Sequence, residues 1–239
     1  HMPLMKKMLE LIDVNVAVSK VAAQSYQEVF DLKEDVKVIH NIIQSDLIKE
    51  KFAQSVNSDD LRLFKNKDLT FISVGRLVEQ KGYDRLIKIH RRLIDEGFKH
   101  NIMIIGNGED EQTLKNEIKK NNCQETFKLI GYRENPFAYF KLADCFLLPS
   151  RYEGLPTVVF ESLICQIPVI ATKVAGIEEQ LKDSSYGLVV NNDESDFYEA
   201  MKTIIMHPEK LEKMKDKLKD YHYQNETIIT QISNLVEGD

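Results

Sequence analysis

Glu153 and Glu161 stand eight positions apart in the stretch Ser-Arg-Tyr-Glu-Gly-Leu-Pro-Thr-Val-Val-Phe-Glu, residues 150–161. Everything between the two acids is small or apolar. Ionised carboxylates only accept hydrogen bonds, so a pair of them facing one pocket suits vicinal hydroxyls, which donate; sugars and ribose carry such hydroxyls. Taken alone, Glu153 also reads as an exposed loop acid. Glu161 interrupts the apolar run Thr-Val-Val-Phe-Glu-Ser-Leu-Ile, where a buried charge is costly unless partnered. A second pair is cationic. Arg76 and Lys81 lie in Gly-Arg-Leu-Val-Glu-Gln-Lys-Gly, 75–82, directly before a helical pattern. A helix N-terminus offers unpaired N–H groups and a partial positive charge. A guanidinium and an ammonium beside it would hold a diphosphate, although two solvated loop cations account for this loop equally well.

Three further loops are weaker. Gly106-Asn-Gly-Glu-Asp-Glu111 resembles the opening of a dinucleotide fingerprint, but Glu111 stands where the third glycine belongs, so it reads as a connecting turn. In Gly131-Tyr-Arg-Glu-Asn-Pro136, Gly131 could let a ring lie against the backbone with Tyr132 or Arg133 beside it; an ordinary turn fits as well. Gly154 permits strained backbone angles and Pro156 pre-sets a first helical turn, so N–H groups near Leu155, Thr157 and Val158 would point at whatever lies above.

These loops need a frame, and the hydrophobic rhythm supplies one. Apolar runs at 69–75, 101–106, 126–131, 144–150, 168–172 and 186–190 read as strands. Between and after them, helical patterns cover 83–97 (Leu86, Ile89, Leu93 and Ile94 in phase, Gly97 as the stop), 109–122, 135–143, 156–166 and 176–182, then 194–206, 208–220 and 222–236. Upstream, 14–19 alternates like a strand, Ser19 can cap a helix over 20–30, and 36–40 reads as a second short strand. The segment 41–52 turns away from it, and 53–68 is polar, like a linker or domain edge. Strands alternating with helices define an α/β fold with a doubly wound, Rossmann-like parallel sheet. The near-continuous apolar strands fit a sheet covered on both faces. Ligands of such sheets bind at the carboxyl ends of the strands, where the loops above must lie.

Bulk properties narrow the classes. The 239 residues are 43% hydrophobic and 29% charged, with a formal net charge of −6, which fits a globular protein and argues against sequence-independent nucleic-acid binding. Cys123, Cys145 and Cys165 are scattered, odd in number and without Cys-x-x-Cys spacing, so neither a disulfide framework nor a zinc site is indicated, and a reducing, cytoplasmic setting is expected. No window offers the apolar length of a membrane span. Glu10, Asp13 and Asn15 spoil a faint signal-peptide pattern at the start. His1-Met2 reads as a cloning scar, and the natural chain is expected to extend upstream.

Taken together, Ser-Val-Gly-Arg-Leu-Val-Glu-Gln-Lys-Gly-Tyr-Asp, Ile-Ile-Gly-Asn-Gly-Glu-Asp-Glu-Gln-Thr-Leu, residues 147–179 and the spacing Glu153-x7-Glu161 resemble the donor domain of family 4, GT-B-fold retaining glycosyltransferases, over about residues 14–239. The form of 150–156 is most similar to enzymes of bacterial capsule, O-antigen or exopolysaccharide assembly. The chain departs from the family pattern at Asn41-Ile42-Ile43-Gln44, at Gln166 where a glycine is usual, and at Ala175-Gly176 where two glycines are usual.

The resemblance implies a division of labour. Arg76 and Lys81, with Gly75 beside them, would hold the donor diphosphate and share in catalysis with Glu153, which would contact the transferred sugar. Backbone N–H groups of Gly154, Leu155, Thr157 and Val158, around Pro156, would lie near sugar and phosphate. Glu161 would take the ribose hydroxyls, and Ile130, Gly131, Tyr132 and Arg133 would border the base. Neither cofactor nor metal is implied. The donor would be a nucleotide-diphosphate sugar, with uridine diphosphate the carrier by the family's habits. The acceptor would be a glycan or lipid-linked molecule, bound by an N-terminal domain of which only residues 3–45 would be present. Residues 46–67 would be a linker, 68–220 the donor-binding domain, and 221–239 a helix crossing back. Such a piece would not complete the reaction alone, and any membrane association, at the inner face of the plasma membrane, would be peripheral. A nucleotide-sugar epimerase and a non-catalytic nucleotide-sugar binding module are the alternatives; a nicotinamide-dependent dehydrogenase fails on the incomplete glycine fingerprint.

Overall fold

The computed structural model describes residues 8–9, 11–58, 60–64, 66–182 and 184–237. The reading of His1-Met2, and Glu10, lie outside them. The chain forms two compact units, one made of the N-terminal residues to Ile43 with those from Gln224 onward, the other of Gln44–Tyr223.

In the smaller unit, β1 (Val16–Ala17) and β2 (Lys37–Val38) pair in parallel, Val16 opposite Lys37. Between them runs α1 (Lys20–Phe30). Ser19 caps it as the sequence predicts, its Oγ accepting the Ala22 N–H at 3.1 Å. Asp31 ends it in the left-handed region, φ 55°. The C-terminal helix Asn225–Glu237 belongs to the same unit. Its first side chain clamps the chain at Ile43: Asn225 Oδ1 accepts the Ile43 N–H at 3.0 Å and Nδ2 donates to the Ile43 carbonyl at 2.5 Å.

The larger unit opens with α2 (Ser45–Ala53) and a short 3₁₀ turn, Asp60–Arg62. The sequence reading makes 46–67 a linker. In the structure this segment packs on its own unit: Asn135 Nδ2 donates to the Lys51 carbonyl (2.9 Å) and Lys141 Nζ to that of Ala53 (3.1 Å), closing the end of α2 from a distance. Asp60 is buried. A nine-residue helix with one buried residue, Ile48, leaves too short a periodic signal to stand out in the sequence, because tertiary partners rather than its own pattern hold it.

Six parallel strands then follow: β3 (Thr70–Val74), β4 (Asn101–Ile105), β5 (Phe127–Leu129), β6 (Cys145–Leu148), β7 (Val169–Thr172) and β8 (Gly187–Val190). Their order is β5-β4-β3-β6-β7-β8. The helices are α3 (Tyr83–Asp95), α4 (Glu111–Lys120), α5 (Thr157–Ile164), α6 (Ile177–Leu181), α7 (Glu194–Met206) and α8 (Glu209–Leu218). The stretch read as a helix at 135–143 is a 3₁₀ helix over Phe137–Leu142. The doubly wound parallel sheet is therefore as the sequence predicts, with strands buried on both faces: Phe71, Ile72, Ile102, Met103, Phe146 and Leu147 have no exposed surface. The strand order reverses between β3 and β6, and the crevice beyond the carboxyl ends of those two strands is the natural ligand position of such a sheet.

Two core features bear on stability. His90 and His100 form a buried chain: the Thr126 hydroxyl meets His90 Nε2 at 2.9 Å, His90 Nδ1 meets His100 Nε2 at 2.8 Å, and His100 Nδ1 meets the Phe98 carbonyl at 2.8 Å. A carbonyl only accepts, so His100 carries its proton on Nδ1. Its Nε2 then accepts from His90 Nδ1–H, and both rings are neutral. Burial holds both pKa values down, to about 2 for His90 and about 4 for His100. At the end of α5, Gln166 takes φ 60°. Its N–H reaches the Leu163 carbonyl at 2.9 Å while the Ile167 N–H reaches that of Ser162 at 3.0 Å, the two bonds of a Schellman ending that normally has glycine at the left-handed position.

Candidate active site

The loop after β3, residues 75–82, is braced by backbone hydrogen bonds to its neighbours. Gly75 N–H donates to the Ile105 carbonyl (3.0 Å), Leu77 N–H to that of Asn107 (2.8 Å), and Asp110 N–H to that of Leu77 (2.9 Å). The glycines of the second loop serve this contact. A Cβ on Gly106 would lie 1.9 Å from the Gly75 carbonyl oxygen, so Gly-Asn-Gly is more than a connecting turn: it lets one site loop lie on another. Gly82 does the same toward the loop after β6. Its φ is 68°, and a Cβ there would sit 2.1 Å from the Pro149 carbonyl oxygen.

Those two loops flank the strand-order reversal, and their charges meet across it. Lys81 Nζ lies 2.7 Å from Glu153 Oε1, both side chains largely buried. The Ser150 hydroxyl donates to the same carboxylate oxygen at 2.7 Å. Ser150 is itself fully buried, and its carbonyl accepts from Thr172 Oγ1 at 2.6 Å. Gln80 Nε2 donates to the Tyr152 carbonyl at 2.9 Å and stands 3.5 Å from Glu153 Oε2. One carboxylate oxygen is thus fixed by an ammonium and a hydroxyl, and the other faces a single long contact. Arg76, in the same loop as Lys81, is exposed, and among the described residues its guanidinium has no ion-pair partner.

Gly154 departs from the sequence reading. Its φ is not left-handed; a Cβ there would meet nothing within 4 Å, so it leaves open space over the loop instead of relieving strain. Pro156 precedes α5, its carbonyl taking the Val159 N–H at 3.1 Å and the Gln180 side-chain amide at 3.1 Å. The amides of Thr157 and Val158 come before the first acceptor of the helix and point out of its N-terminus. Glu161 lies on the second turn, half-buried, about 6 Å along the axis from the helix start by the helical rise. Desolvation raises its pKa, and among the described residues no side chain pairs with it.

In the third loop, Gly131 takes φ 75° and its carbonyl accepts the Gly106 N–H at 3.0 Å, while Ile130 N–H is held by Ile104 at 3.0 Å. Tyr132 is exposed. Arg133 is committed elsewhere. Its Nε and Nη2 grip Asp60 at 2.9 and 3.1 Å, and Tyr139 donates its hydroxyl to the same carboxylate at 2.5 Å. Burial would raise the Asp60 pKa, but Arg133 and Tyr139 outweigh it and hold the carboxyl below its usual range. The sequence gives Asp60 no distinguishing pattern, since its partners are 73 and 79 positions away.

Solved structures with this fold include proteins described as glycosyltransferases. Anabaena Alr3699/HepE, in complex with UDP and glucose, superposes with a TM-score of 0.82 at 16% identity, covering all of this chain and 67% of that one. Staphylococcus aureus TarM matches at 0.80 and 17% identity, over 98% of this chain and 45% of its own. The architecture is therefore that of the GT-B glycosyltransferases. The chain belongs to the family Glycosyl transferases group 1, whose model matches residues 57–221. Among curated relatives, a Methanocaldococcus jannaschii protein described as an uncharacterized glycosyltransferase is 32% identical over 166 residues, 70% of this chain and 40% of its own length. A Campylobacter jejuni N-acetylgalactosaminyltransferase acting on an undecaprenol-linked diphosphate sugar is 30% identical over 171 residues, 71% of this chain and 44% of its own. The UDP-Gal:alpha-D-GlcNAc-diphosphoundecaprenol alpha-1,3-galactosyltransferase of Escherichia coli is 28% identical over 173 residues, 67% of this chain and 44% of its own. The chain thus spans less than half the length of these three relatives.

Proposed function

We propose that this chain is the donor-binding part of a family 4 retaining glycosyltransferase, and that it binds a nucleotide-diphosphate sugar carried on uridine diphosphate. The protein would pass a hexose-type sugar to a glycan or lipid-linked acceptor in the assembly of a bacterial surface polysaccharide, of the capsule, O-antigen or exopolysaccharide kind. The observation that carries this reading is Glu161: a half-buried carboxylate without a partner among the described residues, on the helix that follows the loop after β6, asks for donors from a ligand. Ribose hydroxyls are such donors. The names of the Campylobacter and Escherichia relatives support the acceptor class and, in the second case, the UDP-linked donor.

Chemistry follows from the charges. Breaking the bond between the anomeric carbon and the diphosphate oxygen loads negative charge on the leaving group, and fixed donors aimed at that charge lower the barrier; losing one typically costs about 3 kcal/mol. Arg76, Lys81 and the amides of Thr157 and Val158 would supply them. Lys81 has three donors and uses one on Glu153, so it can serve diphosphate and carboxylate together. Glu153 would take a hydroxyl of the transferred sugar on Oε2. Ile130, Gly131 and the exposed Tyr132 would border the base, with the Arg133 side chain held back by Asp60. No metal or cofactor enters this scheme.

Calorimetric titration with uridine, guanosine and adenosine diphosphates and with nicotinamide dinucleotide tests the reading. Saturable binding of uridine diphosphate, with the dinucleotide inert, is expected. A chain that binds the dinucleotide, or none of the diphosphates, contradicts it.

A further inference from the structure

Arg151 takes no part in the charge scheme above, yet it is bonded on almost every side. Its guanidinium grips Asp84 two-pronged, Nη1 to Oδ1 and Nη2 to Oδ2, both at 2.8 Å. Nη1 also donates to the Glu79 carbonyl at 2.6 Å and the backbone N–H to that of Gln80 at 2.7 Å. Its carbonyl accepts from Asn192 Nδ2 at 2.7 Å. Asn192 Oδ1 in turn takes Arg85 Nη1 at 2.9 Å, and Arg85 Nη2 donates to the Pro149 carbonyl at 3.2 Å. One residue therefore ties the loop after β6 to the loop after β3, to the start of α3 and to the loop after β8.

The consequence lies two residues on. Glu153 follows Arg151 in one loop, and Lys81 lies between Gln80 and Asp84 in the other. A slip of either loop by an ångström would stretch the 2.7 Å contact between Lys81 and Glu153 beyond hydrogen-bond length. We infer that Arg151, locked to Asp84, is a positioning residue that sets the register of the two loops and so aims Glu153 at the transferred sugar; this rests on the donor-site reading. A planar fork with two parallel bonds fixes orientation in a way a lysine cannot. The charges respond accordingly: burial pushes the Asp84 carboxyl up, but the Arg151 bonds and charge outweigh it and lower it, and the bond to Asp84 raises Arg151.

Two readouts test this on the intact chain carrying Arg151→Ala, with Arg151→Lys alongside. The first is amide hydrogen exchange, which needs no ligand. Exchange in 149–156 and 79–84 is expected to quicken about tenfold, the size of losing one charge-assisted hydrogen bond, with β3 and β6 unchanged. The second compares uridine diphosphate with UDP-glucose by calorimetry. The sugar nucleotide is expected to lose about tenfold more affinity than the bare diphosphate, and Arg151→Lys to recover only part of it. Unchanged exchange in a folded variant overturns the inference. So does equal weakening of both probes with uniformly faster exchange, which marks general destabilisation. If Arg151→Ala does not fold, Asp84→Asn is read in the same way. A wild-type chain that binds neither probe, yet shows the localised exchange change in the variant, overturns the donor-site reading and leaves the loop-setting role of Arg151 standing.

Discussion

Lys81 Nζ and Glu153 Oε1 stand 2.7 Å apart across the point where the strand order reverses. With 17% and 9% of their side chains exposed, neither charge is well solvated without the other. Lys81→Met would leave Glu153 with Ser150 and Gln80 alone, a loss of about 1–3 kcal/mol by the usual cost of stranding a buried polar group. Lys81→Met/Glu153→Gln should lose less than the sum of the two single changes. Thermal unfolding of the three variants checks this; strict additivity would mean that the pair contributes no coupling.

The approach of Gly82 to the Pro149 carbonyl oxygen sets a second expectation. Any side chain at 82 meets backbone at 2.1 Å and sits at φ 68°. Gly82→Ala should therefore destabilise by about 2–4 kcal/mol, the range for overpacking combined with backbone strain. Denaturant unfolding measures this, and a loss below 1 kcal/mol would show that the loops can part freely.

Acid should act on the His90–His100 chain. Both histidines are neutral when folded, with pKa values of about 2 and about 4, against about 6.5 in an unfolded chain. The unfolded state thus binds more protons below pH 6.5. Stability is complete above that value and falls as the pH drops, from about 6.5 to about 4 for His100 and further for His90, by up to ~1.4 kcal/mol per pH unit for each ring. Imidazole NMR resonances should keep their neutral positions at pH 5. Titration of either ring near 6.5 in the folded protein would contradict this.

Gln166 offers the opposite sign. A side chain in the left-handed region costs roughly 1–2 kcal/mol that glycine avoids, while glycine gives back part of this through the entropy of the unfolded chain. Gln166→Gly should raise the melting temperature with the fold unchanged. A lower melting temperature would mean that the glutamine side chain contributes more than its backbone costs.

Much of this is legible in the sequence itself. The strands from Thr70 to Val190 are nearly continuous apolar runs and their partners are helices, so period and order alone define the sheet. Ser19, Gly97 and the apolar phase of α3 carry local signals strong enough to place ends. What stayed hidden depended on distant partners. The helix Ser45–Ala53 is held by Asn135 and Lys141; Asp60 matters through Arg133 and Tyr139; Arg151 matters through Asp84 and Asn192. In the site, Arg76, Lys81, Glu153 and Glu161 stand out by type and spacing. That Lys81 and Glu153 would bond to each other, or that the glycines at 106 and 82 exist to let loops touch, requires the close approach that only folding creates.

The central claim is that one nucleotide spans the cations of the loop after β3 and the carboxylate on α5. Calorimetry with uridine diphosphate, uridine and 2′,3′-dideoxyuridine diphosphate, on the wild-type chain and on Arg76→Ala and Glu161→Ala, tests it most directly. The wild-type chain should prefer uridine diphosphate to both analogues. Glu161→Ala should erase the preference over the dideoxy compound alone, a change of about tenfold for hydrogen bonds to a charged group, and Arg76→Ala should shrink only the preference over uridine. If Glu161→Ala and Arg76→Ala both bind uridine diphosphate as the wild type does, the two sets of charges do not share a ligand and the account fails.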